Sequence, residues 1–282
     1  MRSGLFMIGT RLIVSMLLAW VALAGCGASG EPATSTKTNS ETGIVAPQPP
    51  ERLRAQVLET LPHDTNAFTQ GYEIAHGVLY ESTGRVGRSW VRAVDITTGK
   101  ETARVALPPP LFGEGITVVE DSLWQVTWQN GVAIRRDADT LAERDRVEYS
   151  GEGWGLCHQP EQERLVMSDG SDTLTFRDPE TFAEIGSVRV RSSGERVDRL
   201  NELECVNGTV YANVWQTDTI LRIDVADGAV TGRIDASGLL EPSEQATADV
   251  LNGIAAIPGS EYFFLTGKLW PKTFRVRFVP QP

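Results

Sequence analysis

Five stretches of the chain read as copies of one unit. They are TQGYEIAHGVLYESTG from Thr69, GEGITVVEDSLWQVTW from Gly113, GWGLCHQPEQERLVMSDG from Gly153, NELECVNGTVYANVW from Asn201 and LNGIAAIPGSEYFFLTGK from Leu251. Each opens on a polar or aromatic residue beside a glycine or leucine, runs apolar, turns, and runs apolar again. With Gly71, Gly115, Gly155, Glu202 and Gly253 aligned, the spacings are 44, 40, 47 and 51 residues. A two-strand unit cannot bury its apolar face alone, and a period of roughly 40–50 residues with several strands per unit is the signature of a β-propeller. Between the repeats, VRAVDITTGK, LTFRDPETFAEI and ILRIDVADGAVTGRI set an Asp-led turn between two apolar strands, which reads as a hairpin. Five such units predict an all-β fold, a five-bladed β-propeller. The strand near Gln56–Thr60 is expected to pair beside Thr273–Val279, closing the ring and hiding an exposed edge. Helical periodicity is scarce, and Glu241–Val250 is the stretch that fits a short helix. A β-sandwich or two small barrels fit the repeat phase less well.

The repeats do not reach the N-terminus. Residues 1–25 read as a signal peptide: Arg2 and Arg11 give the positive region, and LIVSMLLAWVAL (12–23) is an apolar run too short for a comfortable membrane span. The run ends in Leu23-Ala24-Gly25-Cys26, which resembles a bacterial lipobox and makes Cys26 the expected lipidation site. The chain is therefore expected to be exported and lipid-anchored on the periplasmic or cell-surface face of a bacterial membrane. Residues 26–50 are rich in Ser, Thr, Gly and Pro and read as a flexible tether. Residues 51–282 form the expected propeller domain, which is expected to be a monomer. A formal charge of −11 argues against a nucleic-acid partner, which would require a basic footprint. Cys157 and Cys205 are read as buried free thiols, although export permits a disulfide. His63, His76 and His158 have no metal-ligand spacing, so no metal is expected at the site.

One repeat position carries most of the chemistry. The residue before the repeat glycine, or before Glu202, is Gln70, Glu114, Trp154, Asn201 and Asn252 in turn. Innermost propeller strands line a central channel, so these side chains are expected to ring one mouth of it and form a pocket. Glu114, between two glycines in LFGEGIT, is expected to be the only carboxylate there. Trp128 and Trp215 end second strands at matching positions, and Lys268 falls one residue beyond. Glu152, one register earlier in a similar GEG phrase, reads as a loop or structural carboxylate. Trp90, Trp124 and Trp270 read as packing between sheets.

The same residues carry a family resemblance. HDTNAFTQG (63–71), LYESTG (79–84), LFGEGIT (111–117), TW (127–128), GEGWGL (151–156), MSDGSDTL (167–174), LNELE (200–204), ANVW (212–215), LNGIA (251–255) and TGKLWP (266–271) follow the order seen in the propeller-type glutaminyl-peptide cyclotransferases of plants and bacteria, which the chain resembles. The resemblance implies a five-bladed propeller that converts an N-terminal Gln of peptides or proteins to pyroglutamate and releases ammonia. It implies Glu114 as the acid catalyst, with Lys268 and Asn201 beside it. It also implies substrate binding by Phe68, Gln70, Phe112, Trp128, Trp154 and Trp215. Tyr72 and Cys157 depart from the family pattern at positions away from this chemistry.

The reaction asks for one proton shuttle, an oxyanion partner and walls that fold the substrate Gln onto its own amine. No cofactor is required for it; a structural calcium at Asp169 in MSDGS is weakly indicated. Two other classes stay open from the residues alone. One is a calcium-dependent propeller lactonase-like enzyme, for which one carboxylate and two Asn make a thin ligand set. The other is a non-catalytic lipoprotein scaffold, which has no need for a buried Glu.

Overall fold

The computed structural model describes residues 49–282. The signal segment, Cys26 and most of the expected tether lie outside the described residues. The described chain is all-β, with one short α-helix and one 3-10 turn at Pro160–Gln162. It opens with β1 (Glu51–Pro62), then repeats a four-strand plan. The first sheet is β2 (Thr69–Ala75), β3 (Val78–Thr83), β4 (Trp90–Asp95) and β5 (Glu101–Ala106). The second is β6 (Gly113–Val119), β7 (Ser122–Thr127), β8 (Val132–Asp137) and β9 (Glu143–Glu148). The third is β10 (Leu156–Gln159), β11 (Arg164–Met167), β12 (Thr173–Arg177) and β13 (Glu184–Arg189). After the short pair β14 (Arg191–Ser192) and β15 (Glu195–Arg196) come β16 (Leu200–Val206), β17 (Thr209–Val214), β18 (Thr219–Asp224) and β19 (Ala229–Asp235). The helix α1 (Pro242–Gln245) follows, within the stretch expected to hold one, then β20 (Leu251–Ala256), β21 (Phe263–Gly267) and β22 (Lys272–Pro280). Among the described residues no helix is long and apolar enough to cross a membrane.

The expected closure is present: β1 runs antiparallel to β22, with Gln56 opposite Arg277 and Thr60 opposite Phe274. It also does something the sequence did not announce. Its first residues pair in parallel with β19, Leu53 opposite Ile234, so the fourth and fifth units merge into one ten-stranded sheet. Hydrogen bonding therefore gives four sheets where five repeats were counted. The turns between third and fourth strands owe their shape to aspartates. Asp95, Asp137, Asp178 and Asp224 each accept backbone N–H bonds from two or three residues ahead through Oδ1.

Apolar cores lie between successive sheets. Leu156, Leu165 and Met167 meet Trp124, Val126 and Phe182, while Leu221 and Ile223 meet Val166 and Leu174. Trp124 and Trp270 are buried as expected, their indoles donating to Pro179 O and Asp249 O. Trp90 differs: it lies half-buried between the guanidiniums of Arg92 and Arg104 on its own sheet, 5.1 and 4.1 Å from its ring centre.

The first strands of the five units form a closed cycle of neighbours: β2 with β6, β6 with β10, β10 with β16, β16 with β20, and β20 with β2. The repeat glycines make that approach possible. A Cβ on Gly71 would lie 2.7 Å from Ile116 N, and one on Gly115 would lie 2.6 Å from Leu156 N. These strands share no ladder with one another, so their inward N–H groups need other acceptors. Buried side chains provide them. Glu202 accepts from Tyr72 N at 3.2 Å and from Ile254 N at 2.9 Å, Asn213 accepts from Gly253 N at 3.0 Å, and Glu73 accepts from Val118 N at 3.1 Å.

One expectation is corrected. Cys157 and Cys205 are a disulfide and not free thiols. Cys157 sits on β10 and Cys205 on β16, neighbouring strands of the cycle, and their Cα atoms are 5.4 Å apart, within bridging range. The bond closes a loop with a sequence separation of 48 residues. Chain entropy alone assigns such a loop about 4 kcal/mol. Replacing both cysteines by serine should lower the unfolding free energy by about 2–4 kcal/mol, read from urea unfolding, with reductant giving the same loss in the native protein.

Glu202 generates a pH expectation. Burial holds its carboxyl well above 4.5, against the lowering effect of the two N–H bonds. The folded state then keeps a proton that the unfolded chain has released. The stability it contributes is complete below the unfolded value of 4.5 and is lost as pH rises through the folded value. Glu202→Gln should make the fall of melting temperature with rising pH above 4.5 shallower, measured by calorimetry across that range.

Candidate active site

At one end of the cycle a cavity of about 300 Å³ opens. It gathers Phe68, Gln70, Phe112, Glu114, Trp128, Trp154, Asn201, Trp215 and Lys268, every site residue expected from the sequence apart from Cys26. A recurring irregularity in the first strands explains why these side chains point there. The pairing register of β2 shifts between Thr69 and Gly71, that of β6 between Gly113 and Ile116, and that of β16 between Leu200 and Leu203. That of β20 shifts between Leu251 and Ile254. Each shift brackets the residue before the repeat glycine or its equivalent, and a bulge re-aims a side chain out of the pleat. Gln70, Glu114 and Asn201 are turned into the cavity in this way. Asn252 is not: it is fully buried behind Gln70, donating from Nδ2 to Gln70 Oε1 at 3.2 Å and to Thr69 O at 3.0 Å.

Glu114 is buried and receives one side-chain hydrogen bond, from Gln70 Nε2 at 2.9 Å. Burial pushes its carboxyl well above 4.5; Lys268 opposes this, and the charge of Glu152 adds to it. Lys268 is buried as well, and burial holds its ammonium below the ordinary 10.5 against the attraction of Glu114 and Asp249. Its Nζ lies 4.9 Å from the centre of the Phe68 ring, a cation–π distance. The loop that carries it is pinned on both sides, with Lys268 N bonded to Val250 O and Leu269 N to Ala67 O. Asn201 is buried with its Oδ1 unpaired among the described residues. A buried amide oxygen without a donor is costly unless a ligand supplies one.

Strand β2, which carries Gln70 and directly follows Phe68, is held by ion pairing. Glu81 accepts from Thr69 Oγ1 at 2.7 Å, from His63 Nε2 at 2.8 Å and from Arg92 Nε at 2.8 Å. His63 also meets Trp270 O through Nδ1 at 2.8 Å. Both its neighbours are acceptors, so both ring nitrogens donate and the imidazole is charged. Burial works against that charge, and the attraction and hydrogen bond of Glu81 overcome it, raising the pKa above 6.5.

The walls are aromatic. Phe68 meets Phe112 edge-on with ring centres 6.4 Å apart, Phe112 meets Trp128 at 5.5 Å, and Trp154 meets Trp215 edge-on at 5.5 Å. Three lining residues escaped the sequence reading: Gln216, Asp249 and Val250. Gln216 directly follows Trp215, and Asp249 and Val250 directly precede the LNGIA phrase, which is the signal available for them. Glu114 is thus not the only carboxylate at the mouth. Asp249 lines it, and Glu152 sits at its rim, bonded to two indoles. Asp169 closes its own turn, its Oδ1 accepting from Ser171 N and Oγ.

An all-β body whose first strands enclose a cavity with a buried acid, a buried amine and aromatic walls can transfer a proton away from bulk water. Comparison with known proteins gives that arrangement a family. A glutamine cyclotransferase family model matches residues 24–278, and the chain belongs to that family. The chain is 40% identical over 228 residues to a glutaminyl-peptide cyclotransferase of Arabidopsis thaliana, covering 79% of this chain and 70% of the plant protein. It is also similar to the crystal structure of a Myxococcus xanthus glutaminyl cyclase, at 40% identity and a TM-score of 0.74, covering 83% of this chain and 100% of that one.

The opposition of Glu114 and Lys268 can be measured directly. Lys268→Met removes the positive charge that opposes protonation of Glu114, so the titration midpoint of Glu114 should move further up. Carbon-13 NMR of the labelled carboxyl against pH reads the shift.

Proposed function

We propose that the chain is a glutaminyl-peptide cyclotransferase, a five-bladed β-propeller that converts the N-terminal Gln of peptides or proteins into pyroglutamate with release of ammonia. Family membership supports the reaction. The five repeat units, with their first strands in a closed cycle, support the propeller. The observation that carries the mechanism is the single cavity in which buried Glu114 faces Lys268 and Asn201 inside an aromatic wall.

The substrate's α-amine attacks the side-chain amide carbon of the same Gln. A C–N bond forms to close the five-membered ring, negative charge develops on the carbonyl oxygen, and the bond to the amide nitrogen then breaks. The α-amine has an ordinary pKa of about 7.7–8.0, so a useful fraction is neutral near neutral pH. Glu114 takes the proton from the attacking amine and returns it to the departing nitrogen, which leaves as ammonia. A carboxyl raised toward neutrality by burial is matched to both halves of that task. Lys268 supplies positive charge for the oxyanion, and the unpaired Asn201 amide holds the substrate's polar groups. Gln70 is bound to Glu114 already, so it orients the acid. Phe68, Phe112, Trp128, Trp154 and Trp215 keep water out and press the Gln side chain back toward its amine, the conformer from which ring closure gains most.

The reaction so written draws on no cofactor. Export and lipid anchoring through Cys26 on a tether belong to the same reading and rest on the segments of residues 1–50 alone, and a monomeric body completes it. In the test, the body (residues 51–282) meets a Gln-initiated dipeptide, and ammonia and pyroglutamyl product are assayed with and without EDTA. Turnover that survives chelation is expected. Glu114→Gln should fold normally and lose at least about a hundredfold in kcat. Full activity in that variant would show that another group moves the proton.

A further inference from the structure

Glu152 reads in the sequence as a loop or structural carboxylate, and in the structure its carboxylate accepts three side-chain hydrogen bonds at the cavity rim. Its Oε2 accepts from Trp128 Nε1 at 2.8 Å and from Trp154 Nε1 at 2.9 Å. Its Oε1 accepts from Gln129 Nε2 at 2.9 Å. An indole N–H only donates and an ionised carboxylate only accepts, so these bonds have one possible polarity and fix the rings in direction as well as distance. Trp128 is 37% exposed, and packing alone does not settle its rotamer. The backbone reinforces the contact, with Gly153 N donating to Trp128 O at 3.1 Å.

The consequence is geometric. Trp128 belongs to the Phe112 side of the cavity and Trp154 to the Trp215 side. They come from different units of the repeat, and no aromatic contact joins them among the described residues. We infer that Glu152 is a positioning residue, which clamps the indoles of Trp128 and Trp154 into one continuous wall across the cavity and so sets the shape that receives the substrate Gln. The clamp rests on the cyclotransferase reading for its purpose but not for its existence. The carboxyl is well suited to it. Burial alone would raise its pKa, but the bonds from Trp154, Gln129 and Trp128 outweigh that and hold it below 4.5, so it stays ionised as an acceptor. A glutamine in its place could keep the amide oxygen toward the indoles and turn its NH₂ to Gln129, whose own amide can flip to accept.

The experiment compares wild type, Glu152→Ala and Glu152→Gln in two readouts. Steady-state kinetics on a Gln-initiated dipeptide gives KM and kcat separately. Proton–nitrogen NMR of the indole N–H groups, assigned with Trp128→Phe and Trp154→Phe, reports the two hydrogen bonds without turnover. Glu152→Ala is expected to move both indole signals toward the free position and speed their exchange. It should also raise KM about tenfold. Glu152→Gln should recover both signals and return KM to within about threefold of wild type. Wild-type KM in Glu152→Ala, or indole signals that do not move, would overturn the clamp. If the alanine variant does not fold, free indole signals in Glu152→Gln with unchanged KM would overturn it equally. Absence of turnover in the wild type would sink the cyclotransferase reading, while the indole signals would still decide the clamp.

Discussion

The rest of the structure depends on how closely the innermost strands approach one another. They meet backbone against backbone at Gly71, Gly115 and Gly155, where no side chain fits. Strands this close that are not hydrogen-bonded as a ladder leave N–H groups facing the axis, and unpaired buried donors are costly. The carboxyl groups of Glu73 and Glu202 and the amide of Asn213 accept from them. Polar side chains thus do the work between units that sheet hydrogen bonds do within them. Removing Glu202 would strand donors on two neighbouring strands, β2 and β20, at once.

That rigidity serves the chemistry proposed for the cavity beside it. The first-strand bulges are effective because the strands on either side cannot shift to relieve them. Glu114 is held where solvent cannot stabilise its charge, and Lys268 is held where solvent cannot stabilise its own. Each is moved toward neutral pH by burial, and each restrains the other. Beneath them the charged His63–Glu81–Arg92 network fixes the strand that presents Gln70. Buried polar groups are expensive, and they cluster here around a site whose reaction needs groups poised between two protonation states.

Much of this was legible in the sequence, for identifiable reasons. The repeat could be read because each unit repeats the same apolar and turn pattern, and the site could be read because one repeat position carries the inward residue. The pairing of β1 with β22 followed from the need to cover an edge. Its parallel bond to β19 did not, because parallel partners share no turn and leave no local signal. The disulfide was missed for a related reason: whether Cys157 and Cys205 meet depends on the relative height of two strands that no ladder aligns. Asp249 and Gln216 lie in connections, outside the repeat that pointed to the others. Glu152 was readable as a loop or structural carboxylate and lies in a loop, but its partners were not legible, because only the three-dimensional course of that loop brings it to two indoles from separate units.

The insertion of β1 between β19 and β22 also orders events in time. The strand made first in the described body finds its partners only among the strands made last. During synthesis it remains an edge without a neighbour, and the loop it must eventually close spans nearly the whole domain, the slowest kind of contact to form. Nothing upstream of the final strand can seal the ring. A chain built this way stays open until its last residues arrive.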